Sequence, residues 1–360
     1  MTVSTLTHAK PVNFIYDVSG KFSQSKAEKQ VSKAGGTLKS CIPEIGVCQV
    51  AFDSVDSAQN SGLTIVPDAS VFIPKVQGMP EVANLTVSES DYGQPPASGD
   101  DDFFFDLQWG HNAVGAVDSW NAGHRGAGVR VAVIDSGADG GHPDLAPNIN
   151  FDLSMSFVDG EAWYDAGPDV SNHGSHTAGT IAAADNGFGT IGVAPEAELV
   201  ILKSLSAYTG SGSSYATMAA IVYAANIGAD VVNMSLGMDV RHNGYFDVEG
   251  TPYDTSDDIK FTVGGKDGIA QFINTYAKAA TYARQNGVLL IASAGNESTD
   301  MDKTDSLVKL PAGLPAVMSI SALGPRLWAN DPNTYTDHLA IYSNYGQSEI
   351  DFGAPIAAIT

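Results

Sequence analysis

Apolar and polar positions along the chain follow two rhythms, and the change of rhythm divides it. Residues 12–76 alternate strand and helix patterns: a strand at NFIYDV (13–18), a helix at SQSKAEKQVSKAG (23–35), a hairpin from TLKSCI (37–42) and VCQVAF (47–52), a helix at SVDSAQNSG (54–62), and a last strand in LTIV (63–66) or SVFIP (70–74). That pattern predicts a small α+β unit. From 106 onward short apolar runs alternate with helical stretches at 174–185, 214–228 and 268–286; the runs are VRVAVID (129–135), LVILKSL (199–205), VVNMSLG (231–237), VLLIASAG (288–295) and AVMSISAL (316–323). Such alternation predicts an α/β domain at 106–360 with a mostly parallel sheet flanked by helices. Between the units, residues 77–105 lose the pattern to Pro, Gly, Ser and Asp and end in GDDDFFFD, which reads as an exposed linker open to proteolysis. Residues 1–11 read as an N-terminal tail.

Composition narrows the partners. With 18 basic and 41 acidic residues the formal charge is −23, which repels nucleic acid and anionic membranes. The apolar runs fall short of the roughly 18 residues of a membrane helix, and MTVSTLTHAKPVNF has no apolar signal core. The chain is therefore either cytoplasmic or a secreted protein whose signal peptide is not part of this sequence. Pairing 43 with 46 in the hairpin turn would set Cys41 opposite Cys48, which leaves open a cross-strand disulfide or two buried thiols.

Ligands of open parallel sheets bind beyond the carboxyl ends of the strands. Asp135, Ser235 and Asn296 all fall there beside glycines, and His173 heads the small-residue helix that follows the first of these strands. Singly, each has a plainer reading as a turn or cap residue or a structural histidine. Together they describe one crevice holding a carboxylate, an imidazole and an amide donor. A dinucleotide site is disfavoured because the glycines of GAGVRVAVID precede their strand, and VGGKDG lacks the Ser or Thr and the upstream glycine of a phosphate loop.

The segments VIDSGADGGHPDL, NHGSHTAGTIAA, IGVAPEAEL, VVNMSLG, ASAGNES and YSNYGQSEIDFGAP resemble the subtilisin-like serine proteases over nearly all of 106–360. The resemblance implies an endopeptidase acting on polypeptides, with Asp135 orienting His173, His173 as general base and Asn296 donating to the oxyanion. It implies a substrate groove between Gly210-Ser211-Gly212 and Ser235-Leu236-Gly237, rimmed by the long stretch 238–268. It also implies that residues 12–76 are a propeptide, an intramolecular chaperone and inhibitor, released by a cut within 77–105, and that the protein is secreted. Calcium is expected as a structural ion held by Asp144, Asn186 and Asp101 around the loop 184–190. Lys309 falls at the base of the pocket for the side chain preceding the scissile bond, where it either favours an acidic side chain or snorkels to solvent above an apolar pocket.

Two departures qualify the resemblance. The family's nucleophile lies in a Gly-Thr-Ser-Met-Ala segment downstream of an Ala-Pro-Gly turn, whereas this sequence reads Ala354-Pro355-Ile356 and ends at Thr360. The expectation is a parent protease whose serine lies further on, with 1–360 alone inactive and exposing apolar surface. The alternative is a catalytically inactive, protease-like peptide-binding protein.

Overall fold

The computed structural model describes residues 11–18, 20–74, 101–105, 108–164, 170–252, 254–304, 306–325 and 337–355. The tail before residue 11, nearly all of the 77–105 linker and Ile356 lie outside the described residues.

The first unit comprises β1 (Val12–Asp17), α1 (Gln24–Lys33), β2 (Thr37–Ile42), β3 (Val47–Phe52), α2 (Val55–Gln59) and β4 (Ile65–Pro67). Its strands form an antiparallel sheet in the order β2-β3-β1-β4. Register opposes Cys41 to Cys48, and the two are joined in a disulfide, which closes the alternative of free thiols. Both candidates for the last strand are used. LTIV feeds β4, whereas SVFIP supplies β5 (Ser70–Phe72), which leaves this sheet and pairs with the second unit.

The second unit begins with α3 (Trp109–Ala113), α4 (Ala116–Asn121), β6 (Arg130–Asp135), β7 (Met155–Ser156), α5 (His173–Ala182), β8 (Glu198–Lys203), β9 (Ser211–Ser213), α6 (Ser214–Asn226) and β10 (Val231–Met234). The long stretch 238–268 folds into the short strands β11 (Met238–Arg241), β12 (Tyr245–Phe246), β13 (Ile259–Lys260), β14 (Thr262–Val263) and β15 (Lys266–Asp267). Then follow α7 (Ile269–Gln285), β16 (Leu289–Ser293), β17 (Leu307–Leu310), β18 (Val317–Pro325), β19 (Asp337–Leu339) and β20 (Phe352–Pro355). The central sheet runs β19-β18-β16-β10-β6-β8-β7 with β20 beside β18, and every pairing but β18 with β19 is parallel.

Alternation along β6 sends successive side chains to opposite faces. Val131 and Val133 pack with Ala178 and Ala182 of α5, while Ala132 and Ile134 join Met218 and Ile221 of α6 and Tyr276 and Ala280 of α7. Helix α6 buries ten of its thirteen residues, a helix apolar all round, because the central sheet lies on one side and the first unit on the other. Polar contacts fix that docking: Asn226 Nδ2 donates to Glu44 Oε1 at 2.8 Å, Gln271 Nε2 donates to Asp17 Oδ2 at 3.0 Å, and Lys278 pairs with Asp17. From the 238–268 stretch, Phe261 meets Phe14 with ring centroids 5.3 Å apart. At the β19–β20 end, Leu339, Ile341, Tyr345 and Phe352 are exposed.

Phe261 is 1% exposed at the boundary of the two units. Phe261→Ala should therefore destabilise the chain by about 3–5 kcal/mol in urea denaturation. Ile341→Ala, at 85% exposed, should stay within about 0.5 kcal/mol. Equal effects of the two would show that the Phe14–Phe261 contact contributes nothing to the docking.

Candidate active site

Strand β6 ends at Asp135, whose side chain is fully buried, and α5 begins at His173. His173 Nδ1 lies 2.8 Å from Asp135 Oδ1 and 2.9 Å from Oδ2, while the Ser136 N–H donates to Oδ1 at 2.7 Å. This approach requires two glycines. A Cβ on Gly174 would stand 1.9 Å from the Gly137 carbonyl oxygen, and Gly137 itself has φ 94° with the Trp163 carbonyl beneath it. Gly179, further along α5, would meet Leu145 at an ordinary 3.9 Å and is not required for this approach.

Burial depresses the His173 pKa, but hydrogen bonding to Asp135 and the carboxylate's charge outweigh it, so the imidazole is held above its ordinary value. His176, one turn on, is pushed down by burial and then by the charge of His173. Among the described residues, no side chain hydrogen-bonds His173 Nε2, and the His173 side chain keeps 30% exposure.

The two groove segments named from sequence come together around the chain's own residues 70–74. β5 pairs antiparallel with β9, with Ser70, Val71 and Phe72 opposite Ser213, Gly212 and Ser211. On the same edge the Ile73 N–H donates to Gly210 O at 3.0 Å, and on the other edge Phe72 and Gly237 exchange both backbone hydrogen bonds at 3.0 Å. The strand is thus gripped between Gly210–Gly212 and Gly237, with Leu236 buried behind it and Ser235 Oγ accepting from Asn233 Nδ2. At its end the Asn296 side-chain amide donates to the Pro74 carbonyl at 3.1 Å. The 238–268 stretch reaches the same strand, since Asp247 O accepts the Ser70 N–H at 2.8 Å.

Lys309 corrects the sequence reading. It does not snorkel: it is 2% exposed, and its ammonium pairs with Asp239 Oδ1 at 2.9 Å and Glu297 Oε1 at 2.7 Å. Asp239 stands opposite it in the β11–β17 register, a pairing no local pattern in the sequence reveals. A second buried lysine escaped the sequence reading. Lys203 pairs with Asp135 in the β6–β8 register, is fully buried, donates to Ser136 O at 2.5 Å and meets Glu161 at 3.0 Å. Burial pushes the Glu161 carboxyl up, but hydrogen bonds from Ser206, the Ala207 N–H and Lys203 more than offset it and leave the group below its usual value. The signal was a lysine closing the apolar run LVILK at the sheet's carboxyl edge.

The loop 184–190 folds against Asp144, which is 3% exposed. Asp144 Oδ2 accepts the Thr190 N–H at 3.1 Å, Asn186 Nδ2 lies 3.4 Å from Oδ1, and a Cβ on Gly189 would stand 2.2 Å from Oδ2. The Asp144 carboxylate oxygens in this cradle are of the hard type that a cation such as calcium takes. Asp101, the third expected ligand, is exposed; its neighbour Asp102 turns inward at 3% exposure and accepts from the Phe188 N–H at 3.1 Å. Nothing within the run Asp100-Asp101-Asp102 distinguishes one carboxylate from the next. Oxygens of Asp101, Asp102 and Asp185 lie within 4.8 Å of one another.

Residues 126–357 match the Subtilase family, so the chain belongs to that family. It is 32% identical over 250 residues to the major intracellular serine protease of Bacillus subtilis (strain 168), a match covering 69% of this chain and 65% of the relative. With subtilisin NAT of Bacillus subtilis subsp. natto it shares 32% over 253 residues, 70% of this chain and 53% of the relative. The chain thus spans between half and two thirds of the length of these curated relatives. Among solved structures, the epidermin leader peptide processing serine protease of Staphylococcus aureus superposes with a TM-score of 0.68 at 20% identity, covering 96% of this chain and 75% of that one. Fervidolysin from Fervidobacterium pennivorans, a keratinolytic enzyme related to subtilisin, gives 0.67 at 24% identity, covering 96% and 47%. Both likenesses show the fold and extend over 96% of this chain.

A histidine with a raised folded-state pKa stabilises the fold below its unfolded value and loses that contribution as pH rises through the folded value. An NMR titration should place the His173 midpoint above the ordinary 6.5 and that of His176 below it. Asp135→Asn should bring the His173 midpoint down. A His173 midpoint at or below 6.5 in the unsubstituted chain would show that burial, not the carboxylate, governs the site.

Proposed function

We propose that the chain is the propeptide and the larger part of the catalytic domain of a secreted serine endopeptidase made as a zymogen. The observation that carries this reading is the Asn296 amide on the Pro74 carbonyl, at the end of a peptide strand gripped on both edges. A peptide carbonyl is thereby presented to a hydrogen-bond donor at the same carboxyl end of the parallel sheet as Asp135. The disulfide of the first unit fits an oxidising compartment.

In this reading a serine from a Gly-Thr-Ser segment beyond Thr360 attacks the carbonyl carbon and passes its proton to His173 Nε2. Asp135 holds the tautomer with Nδ1–H toward itself and stabilises the imidazolium. The carbonyl oxygen, now an anion, is met by the preorganised Asn296 amide, a donor whose loss costs about 10²–10³ in turnover, a magnitude taken from subtilisin itself. Collapse expels the amine with the proton from His173, and water then hydrolyses the acyl-enzyme. Polypeptides are the substrates, bound as an added strand against Gly210–Gly212 and Ser235–Gly237. The first unit acts as chaperone and inhibitor by occupying that groove, and a carbonyl held by Asn296 puts the first cut at the Pro74–Lys75 bond, just ahead of the 77–105 window expected from the sequence.

A serine-directed phosphonate tests the reading. A chain extended through a downstream Gly-Thr-Ser segment should label covalently, His173→Ala should abolish labelling, and 1–360 should not label. Robust labelling of 1–360 would mean that the nucleophile lies elsewhere; failure of the extended chain to label would favour the peptide-binding alternative.

We also propose that Asp144 and Asn186, with Asp102 in place of Asp101, hold a structural calcium ion. A cation bound by the folded state alone stabilises it by mass action. Chelation should then lower the melting temperature, Asp144→Ala should abolish that sensitivity, and Asp102→Ala should weaken it more than Asp101→Ala. Identical melting with and without chelator would remove the site.

A further inference from the structure

The space next to residue 74 is walled by Gly237 on one side and Gly295-Asn296 on the other, since Gly237 binds Phe72 and Asn296 binds Pro74. A side chain at position 74 would be expected to enter between these walls. That space is already filled. A Cβ on Gly237 would stand 3.5 Å from Lys309 Cε, and one on Gly295 would stand 2.6 Å from the same atom. The lysine stem therefore crosses the floor from one wall to the other.

Lys309 is fixed there from several sides. Asp239 and Glu297 hold its ammonium, Glu297 Oε2 in turn accepts from Asn344 Nδ2 at 2.6 Å, and the Glu297 N–H donates to Asn344 Oδ1 at 3.1 Å. Two carboxylates against one ammonium leave the cluster net negative. The side chains of Asp239 and Glu297 keep 25% and 21% exposure, so the negative excess faces outward rather than into the core. Past the plug, Lys309 also lines a cavity of about 340 Å³ with Ala294, Val308, Ala312 and Gly313. The residue that the chain itself places at the mouth, Pro74, is small, uncharged and buried.

We propose that Lys309 is a specificity-determining residue that closes the pocket for the side chain preceding the scissile bond, so that this position takes small uncharged residues and refuses aromatic and acidic ones. The proposal rests on the reading of the groove as a peptide-cleaving site, and it departs from both alternatives read from sequence, an acidic preference and an apolar pocket beneath a snorkelling lysine. A third carboxylate would add to an existing negative excess, and an aromatic ring would overpack a filled floor.

Docking of the chain's own segment tests this without any bond being cut. Full-length chains carrying Pro74→Ala, Pro74→Phe or Pro74→Glu are compared by hydrogen exchange at the amides of Phe72, Ile73 and Gly237, which are bonded across the groove. Pro74→Ala should keep their protection within about threefold, while Pro74→Phe and Pro74→Glu should lose on the order of tenfold or more. Removing Lys309 alone would strand two carboxylates. The opened variant is therefore Lys309→Gly with Asp239→Asn and Glu297→Gln, which should restore protection to the Pro74→Phe chain by giving the ring access to the cavity. If Pro74→Glu docks as well as Pro74→Ala, the lysine reads acids. If Pro74→Phe docks as well as Pro74→Ala with Lys309 in place, the pocket is open. Either result overturns the proposal, and neither depends on the opened variant folding. Failure of the peptidase reading would instead appear as absent phosphonate labelling with these exchange patterns intact.

Discussion

A carboxylate buried at the end of a central strand must be solvated by the protein itself, because an unpaired buried charge costs several kcal/mol. Asp135 meets that condition with the Ser136 N–H and the His173 imidazole, and much of the local architecture follows from bringing the imidazole close enough. Helix α5 must start where β6 stops, and its first turn must lie against the Gly137 carbonyl, a contact that any side chain at Gly174 would block. On the neighbouring strand the residue in register with Asp135 is Lys203, whose charge is drawn away to Ser136 O and Glu161. The aspartate thus faces one polar partner, the histidine, across the crevice, and the nearby cation is committed elsewhere.

The first unit is bound through two kinds of contact that act on different parts of the molecule. Its sheet covers α6 and α7, and this lets α6 be apolar on every side; its last strand leaves that sheet to become part of the groove. Asp68 and Ala69 join the two, since the Tyr215 N–H donates to Asp68 Oδ1 at 2.9 Å and the Ser214 N–H to Ala69 O at 2.9 Å. The start of α6 therefore has orphan backbone donors satisfied by the same few residues that lead the chain into the groove. Helix formation and groove occupancy are coupled through five consecutive positions, 67–71.

Much of this was legible in the sequence, for a physical reason. Strand alternation, the glycines around Asp135 and His173 and the turn at Gly295-Asn296 are local features, and local features leave local patterns. The register-dependent contacts left none. Asp239 meets Lys309, and Lys203 stands in register with Asp135, because strands distant in sequence align, and nothing within either segment announces its partner. The inward turn of Asp102 beside Asp101 left no local pattern for a related reason: in a run of like residues, orientation is set by what packs beside it, here buried Phe105 and the loop at Phe188. The strand ambiguity between LTIV and SVFIP was real, because both form strands and differ in which sheet they join.

The 238–268 stretch shows how such distant contacts accumulate in one segment. Its first residues pair with β17 and place Asp239 on Lys309, its middle supplies Asp247 O to the docked strand, and its later part sets Phe261 against Phe14 and accepts Gln59 Nε2 at Thr262 O. Groove floor, groove edge and the surface of the first unit are thus built from one continuous piece of chain. A shift in that piece cannot alter one of them in isolation, since the short paired strands between them transmit displacement rather than absorb it. Occupancy of the groove by residues 70–74 and packing of the first unit at Phe261 are on this argument two ends of one mechanical connection, with the floor under Pro74 attached to it at Asp239.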